Sequence, residues 1–338
     1  MSAPATLWIS EVDVRALMDM RKAISALKHG LLLEARGQAL NMTKTHISWG
    51  NGSTLHAIGA VFPEAGFVAT KTWAHTHAGA QPLLVLFDSN NGSLLAVIEA
   101  FALGQLRTGA ISGIATERLA RPEADEFAIV GTGKQAMPQV RAILAVRPIR
   151  RVHVFGRNEE KRAQFAAQVQ KEFGVEAVSE STIEAAVKDA AIITVVTRAT
   201  QPILDASTIA PGTHINAVGA IVPGRFELAK SVLERADLVV ADSVFQARKL
   251  ASELIEFYGE DASRWAGVRS LADIIASGTL RPPNSDITIF KSLGMGISDL
   301  ALAIEIYREA VKMGTGRDSA YLSGVGAQGA HSEKKGIS

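Results

Sequence analysis

The 338-residue sequence contains no cysteine. That single absence excludes disulfides, thiolate catalysis and cysteine-ligated metal together. It also lacks net charge: 35 Lys and Arg stand against 34 Asp and Glu, for +1. Neither a nucleic-acid partner nor an acidic membrane surface is expected of such a balance. No apolar run approaches the roughly 20 residues that a membrane-spanning helix requires. The opening, Met1-Ser-Ala-Pro-Ala-Thr-Leu-Trp8, has neither the basic start nor the apolar centre of a signal peptide. The expectation is a cytoplasmic protein. What is present is ordinary for a soluble enzyme, 47% hydrophobic and 20% charged residues, and long enough for two domains with real cores.

One stretch organises the rest. Phe127-Ala-Ile-Val-Gly-Thr-Gly-Lys-Gln-Ala136 reads as an apolar strand that breaks at Gly131-Thr132-Gly133 and opens a helix near Lys134. The pattern Gly131-x-Gly133-x-x-Ala136 is a dinucleotide fingerprint with Ala for the third Gly. The glycines allow a tight turn and close approach of a pyrophosphate, Ala136 allows the helix to pack on the strand, and the helix N-terminus attracts phosphate. Gly131, Thr132, Gly133, Gln135 and Ala136 are therefore expected cofactor contacts. The next strand, Arg151-Val-His-Val-Phe155, ends in Gly156-Arg157-Asn158, with Arg162 one turn on. An NAD site usually carries a carboxylate there; a guanidinium instead suits a 2′-phosphate. Arg157, Asn158 and Arg162 thus point to NADP(H) as the preferred cofactor, with NAD(H) still admissible.

Around this stretch the pattern divides. Ser10-Glu-Val-Asp13 is a capping box, and Asp19 can cap a second helix. Strands are expected at 45–49, 53–58, 66–73, 83–88 and 94–98, the last two joined as a hairpin through Ser89-Asn-Asn-Gly92. A helix over 102–120 carries Gln105-Leu-Arg107-Thr108 among small residues. From 126 to 292 strands and helices alternate in the manner of a doubly wound parallel sheet, with covering helices at 161–173, 183–190 and 227–235. A last helix spans 297–313, and the polar tail from Gly326 reads as mobile. The fold class is α/β: a Rossmann-type doubly wound sheet (121–295) plus a discontinuous α+β domain (1–120 and 296–338).

Two side chains stand out chemically. Arg107 is a fork-shaped, permanently charged partner for a substrate carboxylate. Lys71 sits mid-strand in Val68-Ala-Thr-Lys-Thr-Trp73; desolvated beside another cation, it would exchange a proton near neutral pH. His75 and His77 have the spacing to share one face of a strand, but no third ligand accompanies them, and no metal is expected. Thr197 and Val218 end parallel strands at the carboxyl edge, where open α/β sheets bind ligands.

Taken together, Lys71, Arg107-Thr-Gly-Ala110, Gly131-Thr-Gly-Lys-Gln-Ala136, His214-Ile-Asn-Ala-Val-Gly219, Glu227-Leu228, Ile287-Thr-Ile-Phe-Lys-Ser-Leu-Gly294 and Ser298-Asp-Leu resemble the ornithine cyclodeaminase/mu-crystallin family. The resemblance runs in order along nearly the whole chain. It implies a homodimer whose first domains join their sheets, and an active site between the two domains. It implies that Arg107 grips the substrate carboxylate, with Lys44 as a second contact, that Lys71 is the acid/base group, and that Thr108, Ser292, Leu293 and Gly294 lie on the cofactor side. Cyclodeaminases carry an Asp just after the Asn-Ala-Val-Gly stretch; this chain has Ile221, which takes no proton. The expected activity is NAD(P)H-dependent reduction of a carboxylate-bearing imine, a cyclic ketimine or the imine of a 2-oxo acid, to an L-amino or imino acid. A cyclodeaminase recycling its NAD, and a non-catalytic binder of NADPH and a small ligand, are the alternatives.

Overall fold

Local signals near the start act as expected. Ser10 accepts from the Asp13 N–H while Asp13 reaches back to Ser10, opening the helix Glu11–Leu17. Asp19 caps the helix Met20–Ala35 through the Lys22 N–H. The computed structural model describes residues 6–318 apart from Asn51; the tail from Gly326, and with it the end of the expected 296–338 segment, lies outside the described residues.

Two sheets organise the described residues. The first is mostly antiparallel, and runs in spatial order Arg317–Asp318, Leu7–Ile9, Leu94–Glu99, Leu83–Asp88, Phe67–Thr76, Ser53–Phe62. Leu40–Asn41 and Thr45–Trp49 both pair with the last of these, and Leu83–Asp88 and Leu94–Glu99 form the hairpin read from Ser89 to Gly92. One face packs on the helix Gly296–Met313, which is buried along most of its length. Gly296 makes this close: a Cβ there would overlap the Gly59 carbonyl. Opposite pairs Ile58↔Lys71 and His56↔Trp73 fix the register, so Lys71 and Trp73 share that face with His56.

The second sheet is wholly parallel. Its order is Glu176–Ser179, Arg151–Phe155, Glu126–Val130, Ile192–Val195, Thr213–Ala217, Ile287–Lys291, Ala236–Ala241, Val268–Ser270. Numbered along the chain that is 3-2-1-4-5-8-6-7, with the switch point of a Rossmann-type sheet between strands 1 and 4. The short strands Glu176–Ser179 and Val268–Ser270 and the helices Val244–Leu250, Ser252–Tyr258 and Leu271–Ala276 were not legible as separate elements. The helix expected over 227–235 is confined to Lys230–Glu234, and Glu227 stands before it.

The helix Phe101–Leu119 joins the two halves. Gly109 and Gly113 let it lie against Ala136–Val146; a Cβ on Gly109 would stand 2.5 Å from the Pro138 carbonyl. Its other side belongs to the core of the helices Met20–Ala35 and Gly296–Met313. Arg107 is therefore carried on an element packed from both sides.

Candidate active site

Lys71 is only 4% exposed, and its Nζ donates to Asp299 Oδ1 at 2.5 Å. Arg107 Nε stands 3.4 Å from the same oxygen. Asp299 comes from the first turn of Gly296–Met313 and is itself buried, and its second oxygen has no partner among the described residues. Burial pushes the Lys71 amine down, Asp299 pulls it back, and Arg107 and Lys44 push it down again, leaving it at about 8. Lys44 is lowered too, first by burial and then by Arg107. Lys44, Lys71 and Arg107 thus lie near enough to lower one another's affinity for protons or to feel one another's charge. Asp299 stood in the sequence within Ser298-Asp-Leu but had no role assigned to it; the available signal was the one carboxylate in the first turn of its helix.

Beside this cluster lies a row of rings. The Lys71 ammonium is 5.4 Å from the centre of the Trp73 ring. His56 stacks on Trp73 at 4.8 Å and 14°, and His46 on His56 at 5.5 Å. Burial, and then Lys44, lower the His56 imidazole to about 4, so it is neutral at physiological pH. Among the described residues no group of three or more His, Asp or Glu is placed to hold a metal ion.

The fingerprint turn adjoins the cluster through the Arg107 helix. Gln105 Nε2 donates to the Lys134 carbonyl at 2.8 Å, and Gln139 Nε2 to the Thr108 carbonyl at 3.0 Å. The Thr108 hydroxyl is spent on Gly104 O. Gly131 adopts φ +115° and presses on the Val196 carbonyl, where a Cβ would be 2.6 Å away; the space a Cβ would fill at Gly133 is open. The helix Ala136–Val146 has no side-chain cap, and the Gln135 Oε1 at its start is buried without a partner. In the first turn the Ala136 N–H is spent on Gly133 O and Pro138 has none, which leaves the Met137 N–H to face an anion. Thr132 lies against Gly156. Arg157 is exposed at the end of the second strand, with no recorded hydrogen bond or ion pair among the described residues. Arg162 is committed to the Gly156 carbonyl and Ser179, and the Asn158 side chain caps its helix by accepting from the Lys161 N–H.

The strand-end residues turn out to be held rather than free. Thr197 donates both its N–H and its hydroxyl to Glu227 Oε1, and Val218 is buried. The Leu293 and Gly294 N–H groups and the Ser292 hydroxyl all go to Asp242, the residue just past Ala236–Ala241. Burial pushes the Asp242 carboxyl up, and these donors and Arg107 oppose it. Gly294, at φ +86°, touches the cluster: a Cβ there would lie 2.7 Å from Arg107 Nη1. Asp242 and Glu227 had no assigned role in the sequence, although an acid just beyond a parallel strand was a usable signal.

Comparison with known proteins bears on the family and the fold. The family model described as Ornithine cyclodeaminase/mu-crystallin family matches residues 6–314. A Delta(1)-pyrroline-2-carboxylate reductase of Bacillus cereus is 31% identical over 327 residues, 92% of this chain and 98% of that protein. The structure of the Thermococcus litoralis Delta(1)-pyrroline-2-carboxylate reductase in complex with NADH and L-proline superposes with a TM-score of 0.87 at 27% identity, covering 92% of this chain and 99% of that one. An archaeal alanine dehydrogenase dimer with bound NAD superposes with a TM-score of 0.85 at 28% identity, over 92% and 98%. With its parallel sheet, its fingerprint turn and its match over residues 6–314, this chain belongs to the ornithine cyclodeaminase/mu-crystallin family.

Proposed function

We propose that the protein is an NADPH-preferring reductase of imines that carry a carboxylate next to the C=N carbon. The observation that carries this reading is the buried set of Lys71, Asp299 and Arg107, of which Arg107 lies on the helix that also touches the fingerprint turn. Arg107, with Lys44, holds the carboxylate, which fixes the carbon to be reduced. Lys71, poised near pH 8, keeps a proton on the imine nitrogen, and Asp299 holds the ammonium in place. A reduced nicotinamide, when bound, would supply the hydride for that carbon, and the proton held on the nitrogen would remain in the amine product. The trp-and-histidine row walls the space left for the rest of the substrate.

The residues present fit such a cofactor. An uncapped helix start and the open face at Gly133 suit a pyrophosphate, and Arg157 is unengaged where a 2′-phosphate would lie. Relatives named as pyrroline-2-carboxylate reductases and as ketimine reductase mu-crystallin support the reaction class. Against the cyclodeaminase reading, Ile221 offers no group to take a proton or bind an ammonium.

The working unit is a homodimer on this reading. Leu40, Met42, Ile47, Trp49 and Leu55 leave large apolar surface exposed on the first sheet and its edge, and a second copy would cover it. The protein works in the cytoplasm, on reduced cofactor held there. The test is oxidation of NADPH with Δ1-piperideine-2-carboxylate, and NADH run alongside. Turnover favouring NADPH is expected; turnover favouring NADH removes the role given to Arg157, and cofactor binding without turnover on any cyclic or linear imine removes the activity.

A further inference from the structure

We propose that Glu227 is a positioning residue that sets the surface receiving the nicotinamide half of the dinucleotide. The assignment rests on the dinucleotide reading above and on no particular substrate. Glu227 is fully buried, and each of its oxygens serves a different loop. Oε1 accepts from the Thr197 N–H at 2.7 Å and the Thr197 hydroxyl at 3.0 Å, in the loop after Ile192–Val195. Oε2 accepts from the Gly219 N–H at 2.8 Å and the Ala220 N–H at 3.1 Å, in the loop after Thr213–Ala217. One carboxylate thus ties together the carboxyl ends of two neighbouring strands.

Their place in the sheet says what they serve. The fingerprint strand Glu126–Val130 lies between Arg151–Phe155 on one side and Ile192–Val195 on the other. The adenosine half belongs over the Arg157 side, so the other half extends over the loops that Glu227 ties. The nearer loop is pinned from both directions: Gly131 presses on the Val196 carbonyl, and Glu227 holds the next residue. Gly219 is needed for this contact, because a Cβ there would overlap the Thr197 backbone and stand 2.5 Å from Glu227 Oε1.

The chemistry requires a carboxylate and not an isostere. Four donors meet two oxygens, which an ionised carboxylate accommodates and a carboxamide does not, since its NH₂ would confront N–H groups. Burial pushes the Glu227 carboxyl up; Lys291, itself paired with Glu253 at 2.7 Å, and the backbone donors oppose that shift. The loops spend their N–H groups inward on Glu227. Their remaining carbonyls and small side chains are what they can offer a ligand, in a geometry that the carboxylate sets.

The experiment compares two ligands on the full chain. One is NADPH or NADH, whichever the wild type binds more tightly; the other is the matching fragment without nicotinamide, 2′-phospho-ADP-ribose or ADP-ribose. Kd for each is measured by calorimetry on wild type, Glu227→Gln and Glu227→Asp. The Asp variant keeps the charge beside Lys291 but is too short to reach both loops. Dinucleotide binding is expected to weaken by about tenfold or more in both variants, as loss of charge-assisted hydrogen bonds implies, while fragment binding is unchanged. Equal weakening of both ligands would reduce Glu227 to a residue of general stability and overturn the assignment, as would no weakening of either. Wild-type protein that binds neither ligand would remove the cofactor reading beneath it, and imine turnover with unchanged Kd values would leave the activity standing while Glu227 lost its role.

Discussion

Replacing Asp299 by Asn tests the proton chemistry at its centre. Asp299 Oδ1 is the hydrogen-bond partner of a lysine that is almost wholly buried, at 2.5 Å, and it is 3.4 Å from Arg107 Nε. Of the influences on Lys71, burial is the largest and lowers the pKa; Asp299 is the main one that raises it, by charge and by hydrogen bond. With Asp299 present the amine sits at about 8, so it is mostly protonated at neutral pH and the rate that depends on it falls as pH rises through about 8. Without that carboxylate, burial, Arg107 and Lys44 all act in one direction. An opposite charge within hydrogen-bond distance is worth about 1–3 pKa units, so the alkaline limb should move down by about that much. A shift of one unit corresponds to about 1.4 kcal/mol; it costs about tenfold in rate at pH above both pKa values and only about twofold at about pH 7. The assay is kcat/KM for imine reduction against pH in both proteins, with cofactor Kd measured alongside to exclude a binding effect. An alkaline limb that stays in place in Asp299→Asn would show that Lys71 is not the titrating group or is not controlled by Asp299, and either result defeats the mechanism.

Three other outcomes are expected. Arg157→Ala should lower the NADPH-to-NADH preference in kcat/KM by about tenfold or more, the value of one charge-assisted contact to phosphate, and an unchanged ratio would place the 2′-phosphate elsewhere. Gly296→Ala should destabilise by about 3 kcal/mol or more, because its Cβ would overlap the Gly59 backbone, and a thermal midpoint equal to wild type would refute the close packing of that helix on the sheet. His214 is fully buried between Thr288 and Asn216, and burial lowers it from 6.5 to about 3. Its folded pKa lies below its unfolded one, so its contribution is whole above about 6.5 and is lost as pH falls towards about 3, by up to about 5 kcal/mol. His214→Asn should therefore show a shallower loss of stability between those pH values; equal slopes would remove the histidine from acid unfolding.

What could be read in the sequence was what neighbours along the chain encode. The capping box at Ser10, the hairpin at Ser89-Asn-Asn-Gly92 and the fingerprint at Gly131 are each written within about ten residues, and each formed. Lys71 and Arg107 stood out because a charge in an apolar context has to be explained wherever its partner is. The partner itself could not be read: Asp299 lies 228 positions from Lys71, and only the packing of helix on sheet brings them together. Glu227 was assigned to a helix because its spacing to following apolar residues fits one, and local periodicity says nothing of the two loops it holds. The stretch from Val244 to Ala276 failed for a related reason, since its helices are four to seven residues long and give too little repeat to separate.

The helix that carries Asp299 has a consequence for how the protein is made. The chain emerges from the ribosome N-terminal end first, and Lys71 is exposed long before residue 299 has been synthesised. Until then the first sheet has no helix to cover its inner face, and its central lysine has no counter-charge. Chains truncated at Met295 and released from the ribosome should therefore hold a folded parallel sheet beside an open, protease-sensitive first sheet. Released chains truncated at successive positions across Gly296–Met313, probed by pulse proteolysis, would assign the closing event to one late helix.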